Sequence, residues 1–371
     1  MTHPAGQSVQ NPLTQVIGFG QSIWYDGLIA REEFDRMIRE DGIRGATTNP
    51  AIFEKALSEG GHDEELTALL KQWGADEAYR AIAVKAVREV ADLFMPMHRE
   101  SRGSDGYVSI EVNPHLAADT AGTVREAKEL WKSVDRPNAM IKIPATREGI
   151  PAVEAVIAEG INVNVTLVFS VARYGEVISA YLAGLEKRTA RRGEISNVSS
   201  VASFFVSRVD SAVDKALEEK MKADPAKRAE CEALVGKTGI ANSKAAYEEF
   251  RMAFAGARYK ALRAKGARIQ RPLWASTGTK NPRYRDVLYV EELMGADTVN
   301  TVPPATLAAF RDHGIPGPRL KEGLGDAQKT LAAISAAGIS LDKITAELES
   351  AGVKLFCEAY DKIIEGLKRK K

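Results

Sequence analysis

Short apolar stretches alternate along this chain with longer amphipathic ones. The runs SIWYD (22–26), GATTN (45–49), YVSIEV (107–112), AMIKI (139–143), INVNVTLV (161–168), VASFFV (201–206), RPLWAS (271–276) and DTVNTV (297–302) have strand length and strand composition. Helical patterns lie between them. Over 123–134, Val124, Ala127, Leu130, Trp131 and Val134 fall on one face at helical spacing. Over 151–160, Pro151 stands near the start and Gly160 just past the end. Strand and helix alternating eight times predicts a (β/α)8 TIM barrel with additional helices.

The extra helices are expected where the crossovers are too long, near 54–106 and 209–270. The stretch ALEEKMKADPAKRAE within the second reads as a solvated helical excursion. After about residue 318, LGDAQKTLAAISAAG and SLDKITAELESAGVKLFCEAYDKIIEGLKRK read as terminal helices, with Leu348, Val353, Phe356 and Ile363 as apolar positions and a solvated basic tail. The expected organisation is one barrel domain over 1–371. A doubly wound sheet is the competing architecture, but it usually carries GxGxxG after its first strand. GFGQS (18–22) precedes a strand and opens no helix.

Composition narrows the class. Of 371 residues, 44% are hydrophobic, enough for a large core. Lys and Arg total 51 and Asp and Glu 50, so no bulk field favours nucleic acid or a membrane surface. The basic run KRTARR (187–192) is explained by solvation and a helix end. Cys231 and Cys357 form no CxxC, and His3, His62, His98, His115 and His313 have no ligand spacing. No metal or cofactor is indicated. The amino-terminal residues lack a hydrophobic signal core, and no run is long enough to span a bilayer. A cytoplasmic protein is expected, a monomer or homodimer.

Alternation inside the strands then raises a question. In INVNVTLV, Ile161, Val163, Val165 and Leu167 share one face, while Asn162, Asn164 and Thr166 share the other. In a barrel the apolar face packs on the helices, so the polar face looks inward, where unpaired polar groups are costly. The same split places Glu111 inward with Tyr107 and Ser109, Asp26 with Ser22 and Trp24, Asn49 with Thr47, and Lys142 with Met140. The inward set is therefore Asp26, Asn49, Glu111, Lys142, Asn164 and Thr166. Each lies near the C-terminal end of its strand, where (β/α)8 active sites form.

Burial disfavours a charged lysine, so Lys142 is either ion-paired or wanted as a neutral amine. A lone lysine would read as a structural ion pair. A lysine converging with two acids, two amides and a hydroxyl reads as a site, because a purely structural barrel fills those positions with Val, Ile and Leu. A barrel-interior amine suits Schiff-base chemistry, in which an iminium is the electron sink for carbon–carbon cleavage. Glu111 and Asp26 are acids of the type that such proton transfers need.

At these residues the sequence resembles the transaldolase family. The resemblance is carried by SIWYDGLIAR (22–31), TTNPAIFEKAL (47–57), VSIEVNPHLAADT (108–120), IKIPAT (141–146), GINVNVTLVFSVARY (160–174), ASFFVSRVDS (202–211), WASTGTKNP (274–282) and VKLFCEAYDKII (353–364). It implies transfer of a dihydroxyacetone unit from sedoheptulose 7-phosphate or fructose 6-phosphate to glyceraldehyde 3-phosphate or erythrose 4-phosphate, in the non-oxidative pentose phosphate pathway. By motif, Lys142 would form the Schiff base. Asp26 would be the base at the C4 hydroxyl, and Glu111 and Thr166 would hold a proton-shuttling water. Asn49 and Asn164 would bind hydroxyls of the dihydroxyacetone piece. Ser203, Phe205 and Arg208 would shape the far end, with Arg208 on phosphate, a role its planar fork suits.

One departure stands out. Many members carry a second phosphate-binding Arg just after the strand-seven Ser. Here Ser276 is followed by Thr277, Gly278, Thr279 and Lys280, so Lys280 is the candidate point charge, with Arg283 and Arg285 as weaker ones. Trp24 and Phe205 either line the pocket or pack the core. Three alternatives stay open: an aldolase releasing free dihydroxyacetone, a non-catalytic sugar-phosphate-binding barrel, and a barrel with a merely hydrogen-bonded interior.

Overall fold

The structure is a computed structural model that describes residues 11–58 and 63–370. Eight parallel strands, β1 (Gln21–Asp26), β2 (Gly45–Thr47), β3 (Tyr107–Glu111), β4 (Ala139–Pro144), β5 (Val163–Val168), β6 (Ser200–Phe205), β7 (Gln270–Ala275) and β8 (Thr298–Val302), close in chain order, with β8 against β1. This is the expected (β/α)8 barrel with helices around it.

The alternation in the strands becomes two separate apolar clusters. Val108, Ile110, Ile141, Ile143, Val163 and Val165 point outward and pack on the surrounding helices. Trp24, Tyr107, Met140, Val201, Leu273 and Val299 belong to an inner cluster. Trp24 is fully buried, so it is a packing residue and not a pocket wall. Gly45 makes room for it. A Cβ there would lie 2.6 Å from the Tyr107 carbonyl and 2.8 Å from Trp24 Nε1. The N-terminal mouth is closed by Asp105, which accepts from Arg44 (2.7 Å), Ser22 (2.8 Å) and Arg271 (3.1 Å).

Local sequence sets the crossovers. Asp119 Oδ1 accepts from Gly122 N and starts the helix Thr120–Val134, and Asp135 in the left-handed region (φ 51°) ends it. Ser170 caps Val171–Ala190 in the same way. In that helix's basic last turns, Lys187 pairs with Glu154 and Arg191 with Glu159, while Arg188 reaches the Ala158 carbonyl at the end of Gly149–Ala158. The basic run is thus used within the fold. The first long gap holds Asp63–Gln72 and Ala75–Glu100, and the second holds Ser207–Ala223, Arg228–Glu232, Thr238–Ala255 and Ala257–Arg263. Leu324–Ala336 and the 30-residue Leu341–Lys370 follow the barrel. The basic carboxyl end was expected to be a tail. Lys368, Arg369 and Lys370 are instead the exposed last turn of that helix, where cations suit its dipole.

Two strand assignments need correction. β2 stops at Thr47, so Asn49 is not a strand residue. Pro50 cannot donate to a ladder and opens the helix Pro50–Ser58, and Asn49 Oδ1 accepts from Ile52 N (3.0 Å) at its first turn. β5 starts at Val163, and its alternation breaks at Leu167. That residue takes φ 59° beside a register shift between Val165 and Val168, and its side chain joins the inner cluster and not the outer face. Asn162 bridges strands at the base, giving to the Pro137 and Ala139 carbonyls and accepting from Ser199 N.

Candidate active site

Lys142 stands next to Glu111 in the β3–β4 register and next to Asn164 in the β4–β5 register. Its Nζ is 3.6 Å from Glu111 Oε2, with the two side chains 6% and 5% exposed. It also donates to the Thr48 carbonyl at 3.0 Å. The Thr48 carbonyl was not legible as a site group, because a backbone acceptor has no residue-type signature. The turn that aims it comes from the TTNP motif. Gly149 keeps the next helix close to the end of β4, since a Cβ there would overlap the Pro144 carbonyl.

Burial pushes the Glu111 carboxyl up to about 7, against the opposing pull of Lys142. A carboxyl near neutrality can both give and take a proton. Its Oε2 has no hydrogen-bond partner among the described residues, and neither does Thr166 Oγ1, although both are buried. Thr166 pairs in register with Pro144, two residues past Lys142. Unpaired buried polar atoms are costly and rare in a core built only for stability.

Asp26 ends β1. Burial raises its carboxyl, and three cations act in the opposite direction: Lys142 most strongly, then Lys280 and Arg208. Asp26 therefore feels the interior amine and both of these cations. Arg208 is half-buried, its guanidinium carbon 5.2 Å from the Phe205 ring centroid. Burial lowers its proton affinity and Asp26 restores part of it. Lys280 is exposed on the loop after β7. That loop leaves the barrel at Ser276 (φ 57°), whose Oγ is 2.9 Å from Ser207 Oγ, while Thr277 donates to Asn300 Oδ1 at 2.8 Å. The two weaker arginine candidates do not join this group. Arg285 is held by Glu291 through two contacts of 2.9 and 3.0 Å, and Arg283 lines a separate surface groove with Glu218, Glu232 and Tyr284.

Asn164 is fully buried. Its Nδ2 donates to Ser109 Oγ at 3.0 Å and its Oδ1 accepts from Ser203 Oγ at 2.7 Å, tying β3, β5 and β6 together. The Ser203 hydroxyl is thus turned to Asn164. Phe205 packs against Phe169 with centroids 4.9 Å apart and the rings tilted by 36°. The other residues weighed from sequence lie elsewhere. His98 faces the Asp105 carbonyl, His115 pairs with Asp361, and His313 pairs with Asp286 and Asp312, while His3 and His62 fall outside the described residues. Cys231 and Cys357 are free thiols. Among the described residues no group of three or more His, Cys, Asp or Glu is placed to hold a metal ion. No described helix is long and apolar enough to cross a membrane.

A closed parallel barrel with a buried lysine–carboxylate pair and unpaired polar atoms at the C-terminal ends of its strands has the layout of a (β/α)8 enzyme. A family model described as Transaldolase/Fructose-6-phosphate aldolase matches residues 23–367. Proteins named transaldolase are similar over nearly the whole chain. One from Trichodesmium erythraeum is 44% identical, covering 98% of each chain. One from Thiobacillus denitrificans is 44% identical over 95% of this chain and 99% of its own. One from Mycobacterium marinum is 46% identical over 96% of each. The chain belongs to the transaldolase/fructose-6-phosphate aldolase family of enzymes.

Proposed function

We propose that this chain is a transaldolase that works through a Schiff base on Lys142. The observation that carries the reading is the Lys142 amine 3.6 Å from a buried Glu111 carboxyl that sits near neutrality. The amine adds to the C2 carbonyl of a ketose phosphate. Glu111, through a water it holds with Thr166, supplies the proton that lets the carbinolamine oxygen leave. Asp26 takes the C4 hydroxyl proton, the C3–C4 bond breaks, and the aldose phosphate departs. The retained enamine attacks an aldose phosphate, Asp26 returns its proton, and hydrolysis frees the product. Every step uses side chains of this chain.

Substrate contacts follow from what each group has left to offer. Asn49 has its Oδ1 engaged and its amide donors left over, and Asn164, whose Oδ1 is engaged and whose Nδ2 already gives one hydrogen to Ser109, keeps one donor for the hydroxyls of the dihydroxyacetone unit. Ser203, Phe205 and Ser276 shape the wall. Arg208 holds the phosphate bidentately, and Lys280 supplies a point charge in place of a second arginine. The substrates we assign are sedoheptulose 7-phosphate or fructose 6-phosphate as donor, and glyceraldehyde 3-phosphate or erythrose 4-phosphate as acceptor. We place the enzyme in the cytoplasm, in the non-oxidative pentose phosphate pathway.

The test is borohydride trapping with fructose 6-phosphate, then digestion and mass spectrometry. A dihydroxyacetone-sized adduct on Lys142 that depends on reductant is expected. A folded protein that binds the sugar without forming an adduct refutes the Schiff base. The family description also names aldolase activity. Steady turnover without any aldose acceptor would assign that activity instead.

A further inference from the structure

Glu111 borders more than the barrel interior. Its carboxylate also lines a cleft of about 170 Å3 behind β3, walled by the helices Ala75–Glu100, Thr120–Val134 and Leu341–Lys370. Among its lining residues are Arg80 and the exposed Asp76, which accepts from the Tyr360 hydroxyl at 2.9 Å. Glu111 and Thr48, the two groups that touch the Lys142 ammonium, line it as well, as does Asn49. Tyr79 and Glu126 also line the cleft. Burial raises the Tyr79 phenol, and the negative charges of Glu111 and Glu126 raise it further. Glu126 accepts from Asn113 N at 2.9 Å, which fixes it along the wall.

The chemistry of the proposed reaction needs such a passage. Forming the iminium breaks the carbinolamine C–O bond, and the departing oxygen takes one proton and leaves as water. Hydrolysis adds one water to the iminium carbon and returns the proton. Both events take place with sugar phosphate filling the mouth, between Lys142 and the cations Arg208 and Lys280. Glu111 Oε2 has no hydrogen-bond partner among the described residues, stands 3.6 Å from the Lys142 amine, and belongs to a residue that lines the cleft. We propose that this cleft carries water and protons between Glu111 and bulk solvent by a route separate from the barrel mouth, with Tyr79 and Glu126 as positioning residues along it.

The inference rests on the Schiff-base reading, and the experiment separates the two. The protein is first loaded with fructose 6-phosphate and freed of glyceraldehyde 3-phosphate. Erythrose 4-phosphate is then added by rapid mixing. Consumption of the retained enamine reports carbon–carbon bond formation, which needs no water. Release of free seven-carbon ketose reports hydrolysis, which does. In Tyr79→Phe, and in Ala83→Leu, which narrows the cleft, bond formation stays within about twofold while hydrolysis slows about tenfold, less than the loss of an acid–base group itself. If Ala83→Leu misfolds, Tyr79→Phe decides. Hydrolysis unchanged in folded Tyr79→Phe, or both steps slowed alike, overturns the inference alone. No trapped intermediate on the unsubstituted protein overturns the inference and the Schiff-base reading together.

Discussion

Replacing Glu111 with Gln removes the carboxyl that stands 3.6 Å from the Lys142 amine while keeping its shape. Two consequences follow, and they are measured separately. In turnover, the loss of a positioned acid–base group costs about 100- to 10,000-fold in kcat, with a smaller effect on donor KM. In stability, the effect is a slope. Burial raises the Glu111 carboxyl from its ordinary 4.5 to about 7. Between those values the folded chain holds a proton that the unfolded chain has released, so unfolding free energy falls as pH rises through this window. The group therefore favours the folded state fully below about pH 4.5, and that advantage is gone above about pH 7. The shift corresponds to about 3 kcal/mol.

The assay is urea unfolding, followed by far-ultraviolet circular dichroism, of the chain and Glu111→Gln at several pH values from 4 to 8. Losing the ion pair with Lys142 adds an offset, so the readout is how the difference between the two proteins changes with pH. The unsubstituted chain gains on the variant by about 3 kcal/mol as pH falls from about 7 to about 4.5. A difference that stays flat across that window refutes the idea that burial dominates at Glu111. A difference with the opposite slope would mean that Lys142 wins, and the carboxyl would then be a permanent anion unable to donate a proton.

Lys142→Ala leaves a folded barrel with no transfer activity, and retained transfer in a soluble variant would refute its assignment. Arg208→Ala raises KM for phosphorylated donors by tenfold or more, since charge-assisted hydrogen bonds contribute about 1.5–3 kcal/mol. Lys280→Ala gives a weaker, more salt-sensitive effect, because its ammonium is exposed. Steady-state kinetics with fructose 6-phosphate at two ionic strengths checks both. Asn164→Leu leaves the Ser109 and Ser203 hydroxyls unpaired and lowers stability by about 1–3 kcal/mol for each, read from urea midpoints. Gly45→Ala forces a Cβ against the Tyr107 carbonyl and Trp24, and overpacking of this kind costs about 1–3 kcal/mol by the same measurement.

Much of the barrel was legible because period-2 alternation responds to burial, and a barrel strand has two different burial environments. All eight strands were located, and the outward and inward faces of β3 and β4 separate as the pattern predicts. The cleft behind Glu111 was not legible. Tyr79 and Glu126 come from helices in two different crossovers, and on a helix a Tyr or a Glu signals an amphipathic surface, not a neighbour. Lys280 could be singled out by its loop, but the choice among Lys280, Arg283 and Arg285 required seeing that Arg285 is held by Glu291.

The places where alternation failed share a cause. Asn49, Leu167 and Ser276 all stand where the chain leaves the barrel at its C-terminal mouth. There the backbone must turn from a ladder into a loop or helix, and side-chain direction no longer follows a period of two. Pro50 enforces the turn after β2, while Leu167 and Ser276 accept positive φ. A β-branched or bulky residue is strained in that region, so Leu167 persists because its surroundings hold it. What holds it is the last helix. A Cβ added to Gly352 would lie 2.8 Å from Leu167 Cδ2, so helix and bulge meet with no space between them. The register shift against β6 runs from Val165 to Val168 and so includes Thr166, the residue we assign to the shuttling water. Gly352 lies 185 residues beyond Leu167 in sequence, so the carboxyl-terminal helix packs on the residue next to Thr166. Thr166 itself keeps the inward place that alternation gives it, in register with Pro144, and the pleat breaks only at the residue that follows.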